Sequence, residues 1–329
     1  MTKRQFWPER SMTELAQQLQ KSVGEDLVIE RELGGGGMSH LFVAREATLG
    51  RTIVVKVLSA EIAGAIDVQR FRREVQVLAR LQHTHIVAIL ATGEAGPLLY
   101  YTMRLVEGES LRQRIVREGA LPIGDVVMIL RDVLGALAYA HRRGVIHRDI
   151  KPENVLLSEG GALVADFGIA KAMSDARTSA AITAGGVMVG TPAYIAPEQA
   201  AADPTMDGRV DIYALGAVAY EMLAGEQLFA GLPPHRQMAA HAIQTPVPLN
   251  ERRSDLPPGL EMLIMQCLAK DPGDRPASAD EMLQALDSVA TSRGHIRPSA
   301  MRGVKAVSLS RSPLDAFAEA LKGLLKPKR

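Results

Sequence analysis

Three polar residues in the middle of the chain could act together on a hydroxyl group. Asp149 lies in the run His147-Arg148-Asp149-Ile150-Lys151-Pro152-Glu153-Asn154, and Asp166 opens the run Asp-Phe-Gly after a short β-like stretch. Asp149 can accept a hydroxyl proton, whereas Asn154 and Asp166 carry the oxygen ligands that Mg²⁺ prefers. These residue types predict proton abstraction beside a bound divalent cation.

A glycine-rich stretch lies much earlier, from Leu33 to Leu41, with the sequence Leu-Gly-Gly-Gly-Gly-Met-Ser-His-Leu. Glycines let a backbone approach a polyphosphate closely and accept positive φ. By itself the stretch is read equally well as a plain glycine-rich turn. No Gly-Lys-Ser/Thr follows it, which excludes a Walker-type P-loop.

Lys56 interrupts the apolar run Val54-Val55-Lys56-Val57. An unpaired buried ammonium is costly, so a lysine at this position needs an anionic partner, and Glu74, on the predicted helix Val68–Leu81, is the candidate. The alternative is an edge-strand lysine that faces water.

The hydrophobic periods predict a β-rich first part and a larger helical second part, an α+β fold. A short amphipathic helix at Met12–Gln20 comes first, and a single helix at Val68–Leu81 lies among five strands. The predicted strands are Leu27–Leu33, Leu41–Arg45, Thr52–Leu58, Ile86–Ala91 and Leu98–Leu105. The predicted helices of the second part are Leu111–Glu118, Ile123–Arg143, Val210–Leu223, His235–Ala242, Leu260–Ala269 and Ala279–Ala290.

The order and spacing of the motifs resemble those of a protein kinase. His-Arg-Asp-x-Lys-Pro-x-Asn and Asp-Phe-Gly, downstream of a glycine-rich loop and a strand lysine, form the signature set of that family. The runs from Leu81 to Val87 and from Gly190 to Glu198 are similar to the bacterial branch of the Hanks-type serine/threonine kinases. The resemblance covers about Leu27 to Ala290.

The resemblance implies a bilobal fold with a small lobe of five antiparallel strands and one helix, and a larger, mostly helical lobe. Together with the spacing and composition of the two ends, it divides the chain into segments 1–26 (lead-in with a short helix), 27–104 (N-lobe), 105–290 (C-lobe) and 291–329 (basic tail with a short amphipathic helix).

It also implies roles for individual residues in a non-specific serine/threonine protein kinase that uses ATP with Mg²⁺ or Mn²⁺. Asp149 accepts the proton and Lys151 neutralises the transferred phosphoryl group. Lys56 holds the α- and β-phosphates and pairs with Glu74, while Asn154 and Asp166 hold the metals. The ATP site comprises Leu33, Gly34, Gly35, Gly36, Gly37, Met38, Ser39, Leu41, Lys56, the gatekeeper Met103, and Arg104 and Val106 at the hinge.

Three residues depart from the family pattern. Ser39 replaces the third glycine of the loop, Leu41 replaces a valine, and Arg104 replaces a common acidic residue. Serine keeps its N–H, leucine stays apolar, and the hinge reads adenine through its backbone, so nucleotide binding is expected to persist.

The resemblance further assigns residues to regulation, substrate positioning and bracing. Arg148 requires an anion from the activation segment, which lies between Gly168 and Ala196. Thr183 is the predicted phosphorylation site in that segment, with Thr178 and Ser179 as alternatives. Thr191 is expected to position the substrate. Structural roles are implied for Glu198, Asp211 and Arg275. Glu198 pairs with Arg275, and Asp211 braces the catalytic loop, residues His147–Asn154.

Composition and charge restrict the other classes of function. The 329 residues carry a net charge of +1 and 47% hydrophobic residues, which is typical of a globular protein and gives no global reason to expect nucleic-acid binding. One cysteine, Cys267, excludes an intramolecular disulfide. No membrane span is predicted.

The basic tail from Thr291 carries nine Lys/Arg and two acidic residues, a net +7, so the preceding 290 residues carry −6. The chain is expected in the cytoplasm, with peripheral membrane association through this tail, or as the cytoplasmic portion of a longer anchored chain, as alternatives. Expected partners are ATP, protein substrates and a second copy during autophosphorylation. The alternative function is a pseudokinase or a scaffold that acts through nucleotide-dependent conformation and the basic tail.

Overall fold

The computed structural model describes residues 13–36, 39–59, 63, 67–96, 98–167 and 192–291. The described residues up to Val68 pack with Ile89–Leu105 as one compact unit. Gln69–Ala88 pack with the described residues from Val106 onward as a second unit.

The first unit is built on a five-stranded antiparallel sheet with the order β1-β2-β3-β5-β4. The five predicted antiparallel strands are thereby confirmed, and β3, which carries Lys56, lies in the centre between β2 and β5. The edge-strand alternative for Lys56 was therefore wrong. The strands are β1 Leu27–Gly36, β2 Ser39–Glu46, β3 Thr52–Leu58, β4 Ile89–Ala95 and β5 Leu98–Arg104.

Helix α1, Glu14–Val23, covers one face of this sheet. Its buried Ala16 and Leu19 join an apolar cluster with side chains of the strands. Gln20 fixes the helix to β1, because its Oε1 accepts a hydrogen bond from the Ile29 N–H (2.7 Å) and its Nε2 donates to the Leu27 carbonyl (3.0 Å). The helix therefore both covers the sheet and hydrogen-bonds to its first strand.

The position of helix α1 determines which face of the sheet Lys56 occupies. Ile53, Val55 and Val57 of β3 belong to the apolar cluster beneath α1. Because side chains alternate along a strand, Lys56 projects from the opposite face.

The prediction for the fourth strand was wrong at its start, since β4 begins at Ile89 and not at Ile86. The preceding residues pair elsewhere. The Val87 N–H donates to the Val164 carbonyl, and the Val164 N–H donates to the His85 carbonyl, each at 2.9 Å. A short apolar run cannot reveal which of two sheets its backbone will join.

The second unit is mostly helical, as predicted, and all six predicted helices of the second part are present with ends within two residues of those expected. Its small sheet, in the order β6-β7-β8, comprises β6 Glu109–Ser110, β7 Val155–Ser158 and β8 Gly161–Val164. The helices are α2 Val68–Leu78 (whose first residue belongs to the first unit), α3 Leu111–Glu118, α4 Ile123–His141, α5 Pro197–Ala200, α6 Arg209–Ala224, α7 Pro234–Ile243, α8 Pro258–Cys267 and α9 Ala279–Thr291.

Helix α6 forms the centre of this unit, with every residue from Val210 to Leu223 buried. A helix that is buried all round is mostly apolar, and two exceptions, Asp211 and Glu221, therefore need partners inside the protein. Both carboxylates contact residues of the functional site described below. Among the helices that the structure describes, none has the length and apolar character needed to cross a membrane.

Candidate active site

The side chain of Asp149 is held by two residues of its own loop. The Lys151 Nζ donates to Asp149 Oδ2 at 2.7 Å, and the Asn154 Nδ2 donates to the same oxygen at 3.0 Å and to the Asp149 carbonyl at 2.8 Å. The Asp149 side chain is still 42% exposed. The loop thus presents to solvent a carboxylate of fixed orientation with an ammonium group beside it.

The β7–β8 hairpin brings the two proposed metal ligands together. Val155 pairs with Val164, so Asn154 lies opposite Ala165 at the open end of the hairpin, and the Ala165 N–H donates to the Asn154 carbonyl at 2.9 Å. Asp166 follows directly. Because the Asn154 amide nitrogen bonds to Asp149, its amide oxygen is the atom left for a cation. Amide and carboxylate oxygens are donors of the kind that Mg²⁺ and Mn²⁺ prefer, so the metal-binding role of Asn154 and Asp166 stays a prediction.

Two residues of this region have an uncommon backbone conformation. Arg148 has φ 67° and Asp166 has φ 64°. Residues with a side chain rarely adopt positive φ, and such strain is concentrated at functional sites, where the surrounding structure maintains it. Each of these residues adjoins or is itself one of the candidate catalytic and metal-binding groups.

Asp211 of helix α6 accepts backbone hydrogen bonds from the start of the catalytic loop. Its Oδ1 accepts the Arg148 N–H (2.7 Å), and its Oδ2 accepts both the His147 N–H and the His141 Nε2–H (each 2.8 Å). Burial raises the pKa of Asp211, but the hydrogen bond and charge of His141 and the bond from His147 outweigh it, and the pKa is lowered. The carboxylate therefore stays ionised and accepts three donors.

We expect Asp211→Asn to lower the free energy of unfolding by about 2–4 kcal/mol and to reduce the activity of the remaining folded protein. An amide presents one oxygen and one NH₂ group, so at least one of the three donors would face another donor. Urea unfolding monitored by circular dichroism, together with phosphoryl-transfer rates for the folded fraction, measures both effects.

Asp125→Asn is the matched control for this variant. Asp125 is also a buried, helix-borne aspartate of the second unit, but its ion pair is with Arg114. Loss of the ion pair between Asp125 and Arg114 should lower the free energy of unfolding without changing the transfer rate of the folded protein. Full activity of folded Asp211→Asn would show that Asp211 does not brace the loop.

His147 connects the catalytic loop to the Asp-Phe-Gly run. Its ring is fully buried and lies edge-on to Phe167, with 4.7 Å between the ring centroids. The Nε2 donates to the Ala165 carbonyl at 2.9 Å, which leaves Nδ1 to accept the Asp149 N–H at 3.2 Å. One neutral tautomer satisfies both bonds, so the His147 side chain joins the two segments through both of its ring nitrogens.

Arg148 is fixed by its backbone, while its side chain has an unused donor. Its carbonyl accepts a hydrogen bond from Gln199 Nε2 at 2.7 Å. The Nε of its guanidinium is buried and has no hydrogen-bond partner among the residues that the structure describes. A buried donor of a cationic group requires an acceptor, and an anion supplies the strongest one.

Glu198 and Arg275 form a buried bidentate ion pair. The Arg275 Nη1 and Nη2 donate to the two Glu198 oxygens at 2.6 and 2.8 Å, and the Arg275 side chain is 0% exposed. The remaining guanidinium donors bind backbone carbonyls, those of Ala269, Arg209 and Lys270. The pair anchors helix α5 to the residues that follow helix α8.

In the first unit, the described residues of the glycine-rich stretch lie at the end of β1 and the start of β2. Gly34, Gly35 and Gly36 pair with Leu41, His40 and Ser39. Leu33 and Leu41 are half-buried, as is Lys56 on β3. Gly34, Gly35 and Gly36 thus lie at the end of β1, and their partner strand β2 pairs with the strand that carries Lys56.

The other predicted site residues that the structure describes belong to one unit or the other. Met103 is buried at the end of β5 and Arg104 is exposed, and both belong to the first unit. Val106 and Glu74 belong to the second unit. The pairing of Lys56 with Glu74 and the hinge contacts to adenine stay predictions. Gly37, Met38, Thr178, Ser179, Thr183 and Thr191 lie outside the described residues.

A cluster next to the catalytic loop was not foreseen. Arg112 of helix α3 contacts Glu153, Tyr194 and Glu221. Glu153 and Tyr194 lie in runs that the sequence analysis singled out, but the four residues come from four separated segments, so no local pattern could have revealed the cluster.

Within the part of the chain described, no group of three or more His, Cys, Asp or Glu residues is arranged to hold a metal ion.

Comparisons with known proteins cover most of the chain. Residues 27–286 match the family model of the protein kinase domain. The chain is similar to the serine/threonine-protein kinase PknB of Mycolicibacterium smegmatis, with 38% identity over 303 residues, 90% of this chain and 48% of the relative.

Two further relatives have the same name. The PknB of Mycobacterium leprae is 41% identical over 256 residues, 76% of this chain and 40% of the relative. The PknB of Mycobacterium tuberculosis is 39% identical over 283 residues, 84% of this chain and 45% of the relative. The chain spans less than half the length of these relatives.

Proposed function

The chain belongs to the protein kinase domain family, and on this premise we propose that it transfers the γ-phosphoryl group of ATP to serine or threonine hydroxyls of proteins. The observation that carries the proposal is the Asp149 carboxylate, exposed to solvent and held at 2.7 Å from the Lys151 ammonium. Serine/threonine specificity is supported by Lys151 and by the names of the relatives.

In the proposed reaction, the substrate hydroxyl oxygen attacks the γ-phosphorus of ATP. The new oxygen–phosphorus bond forms as the bond to the β–γ bridging oxygen breaks, ADP departs, and Asp149 accepts the hydroxyl proton. Lys151 offsets negative charge on the transferring group. Catalysis of this kind depends mainly on positioning and charge neutralisation. The hydrogen bonds within the loop would position Asp149, and Lys151 would supply the neutralising charge.

The residues present fit a divalent cation. Asn154 and Asp166 would hold Mg²⁺ or Mn²⁺, which when bound neutralises phosphate charge and orients the phosphates. The glycine-rich hairpin and Lys56 would cover and bind the phosphates, because a glycine backbone brings N–H groups close and the ammonium supplies a point charge.

Purified chain incubated with γ-labelled ATP and Mg²⁺ tests this function. We expect label on protein serine or threonine residues, identified by mass spectrometry, and no label with the Asp149→Asn variant. A pseudokinase or scaffold would bind nucleotide without transferring label. Loss of label on removal of divalent cations by a chelator tests the metal requirement.

Regulation by autophosphorylation is part of the proposal. The Arg148 Nε lacks a partner among the described residues, and a phosphate on the activation segment would bring about two negative charges suited to a guanidinium. We propose Thr183 as that site. Thr183→Ala is expected to lower the steady-state rate about tenfold or more, and phosphosite mapping of active protein against Asp149→Asn identifies the modified residue.

Thr178→Ala and Ser179→Ala are the matched controls, since both remove a hydroxyl from the same segment. They should keep the rate and the phosphate on Thr183. Full activity with an unmodified segment would mean that Arg148 is satisfied by another group and that Thr183 is not regulatory.

The proposed cellular location and partners follow from the use of ATP and from the free cysteine. ATP supply and a buried free thiol at Cys267, whose pKa burial raises to about 12, fit a cytoplasmic location. Protein substrates, and a second copy of the chain during autophosphorylation, are the proposed partners. Attachment to a membrane through the tail or through a longer chain is left as the alternative setting.

A further inference from the structure

The peptide unit that joins Arg148 to Asp149 is held by side chains at both of its polar ends. The Arg148 carbonyl accepts a hydrogen bond from Gln199 Nε2 at 2.7 Å, and the Asp149 N–H donates to His147 Nδ1 at 3.2 Å. Asp149 is the residue proposed to accept the substrate proton. The two bonds therefore fix the plane of the peptide that leads directly into the reacting carboxylate.

Arg148 needs this support because its backbone is strained. Its φ is 67°, in the left-handed region that residues with a side chain rarely adopt. A return of Arg148 to negative φ would turn the peptide unit before Asp149, and the direction of the Asp149 side chain would change with it. Such a conformation persists only where bonds from the surrounding structure maintain it.

Bonds within the catalytic loop orient Asp149 relative to its neighbours but do not place the loop in the protein. Lys151 and Asn154 bond to the Asp149 carboxylate, and both belong to the same run of residues. Gln199 follows Arg148 by 51 positions and lies on helix α5. Its hydrogen bond therefore connects the loop to a separate segment of the second unit.

Helix α5, which carries Gln199, is itself anchored. The preceding residue Glu198 forms the buried bidentate pair with Arg275, at 2.6 and 2.8 Å. Neighbouring Cα atoms are about 3.8 Å apart, so Gln199 lies one residue from this pair. The amide of Gln199 thus extends from a fixed backbone position, and its bond determines where the Arg148 carbonyl lies.

A contribution to stability alone would not require this location, and the second unit contains a bond of that plainer kind. Gln237 of helix α7 donates from Nε2 to the Leu228 carbonyl at 3.1 Å, and both residues are buried. Neither belongs to the catalytic loop. The bond of Gln199 differs because its acceptor is the carbonyl directly before the proposed proton acceptor.

We propose that Gln199 is a positioning residue for the transfer step: through the Arg148 carbonyl it holds the peptide before Asp149, so that the carboxylate faces the substrate hydroxyl. Gln199 acts through Asp149 and not by contact with substrate or ATP. The inference rests on the proposed kinase function. It adds a connection between the catalytic loop and helix α5, which follows the activation segment.

Gln199→Met tests the proposal, because methionine keeps the length of the side chain but has no donor for the Arg148 carbonyl. We expect the single-turnover rate of transfer to an acceptor peptide to fall about tenfold. The Kd for Mg·ATP and the KM for the peptide should stay within about twofold of wild type, because neither ligand loses a contact.

The same substitution in the Asp149→Asn background distinguishes positioning from stability. Once the carboxylate is gone, Gln199 has no group to position, so Gln199→Met should change the residual rate of Asp149→Asn less than about twofold. A structural defect would instead lower the rate equally in both backgrounds. All four proteins are treated with a phosphatase first, so that the activation segment is unmodified in each.

Gln237→Met is the matched control. It also removes a glutamine donor from a backbone carbonyl of the second unit, that of Leu228. Urea unfolding should show a loss of stability at least as large as that of Gln199→Met, because the Gln237 bond is buried. The transfer rate of the folded Gln237→Met protein should equal that of wild type.

Two results would overturn the inference: a folded Gln199→Met protein with the wild-type rate, or equal losses of rate in the wild-type and Asp149→Asn backgrounds. Gln199→Leu, which also lacks a donor, serves if the methionine variant does not fold. Failure of both variants to fold, with Gln237→Met folded, would show that Gln199 is a structural residue. Absence of any transfer by wild type would instead contradict the proposed function.

Discussion

Replacing Asp149 with asparagine is expected to lower phosphoryl transfer about 10²- to 10⁴-fold while leaving the affinity for Mg·ATP largely intact. Asparagine keeps the size of the side chain, and its oxygen can still accept from Lys151 or Asn154, so the loop should stay folded. The lost group is the carboxylate that takes the hydroxyl proton. Single-turnover transfer rates and nucleotide titrations measure the two quantities separately.

Asp166→Asn is the comparison that distinguishes the two aspartates. Asp166 is proposed as a metal ligand and Asp149 is not, so Asp166→Asn should also weaken metal-dependent nucleotide binding. The binding titration should be repeated with nucleotide in the absence of divalent cations, where the two variants should behave alike. Equal losses of Mg·ATP affinity in both variants would show that their roles are assigned incorrectly.

Replacing Lys56 with methionine should lower phosphoryl transfer at least about 100-fold with little change in the fold. Methionine keeps most of the stem volume on the central strand β3 but removes the charge proposed to face the phosphates. The rate of label transfer at saturating ATP, together with the thermal unfolding midpoint, measures activity and folding.

Arg45→Met is the matched control on the same sheet. Arg45 is an exposed cation on β2 that pairs with Glu30, and its removal changes the sheet charge by the same amount. This variant should keep wild-type transfer. Near-normal turnover of a folded Lys56→Met protein would contradict the role of Lys56 in phosphate binding.

The family and the bilobal α+β fold were predictable from the sequence, and both are confirmed by the match to the protein kinase domain over residues 27–286. The helices of the second part were also predictable. The spacing of their apolar residues and the Pro or Gly residues at their ends lie within each segment, so these features predict a helix without knowledge of its neighbours.

The position of Lys56 illustrates a feature that the sequence left open. Val54-Val55-Lys56-Val57 fits a central strand or an edge strand equally well, because a strand pattern contains no information about its neighbours. The sheet order places β3 between β2 and β5, and the packing of helix α1 against Val55 and Val57 directs Lys56 to the other face.

The sequence by itself was enough to predict the chemistry: an acidic proton acceptor, oxygen ligands for a cation, a glycine-rich stretch and a strand lysine, because those groups stand in short runs of recognisable spacing. Only the tertiary structure decided what holds them. Asp211 bonds to the His147 N–H across 64 positions of sequence, and Arg112 bonds to Glu221 across 109. Both carboxylates lie on a helix buried on all sides, where an ionised group must find its donors. Those donors come from whichever segments fold against the helix, and no pattern within a single segment specifies them.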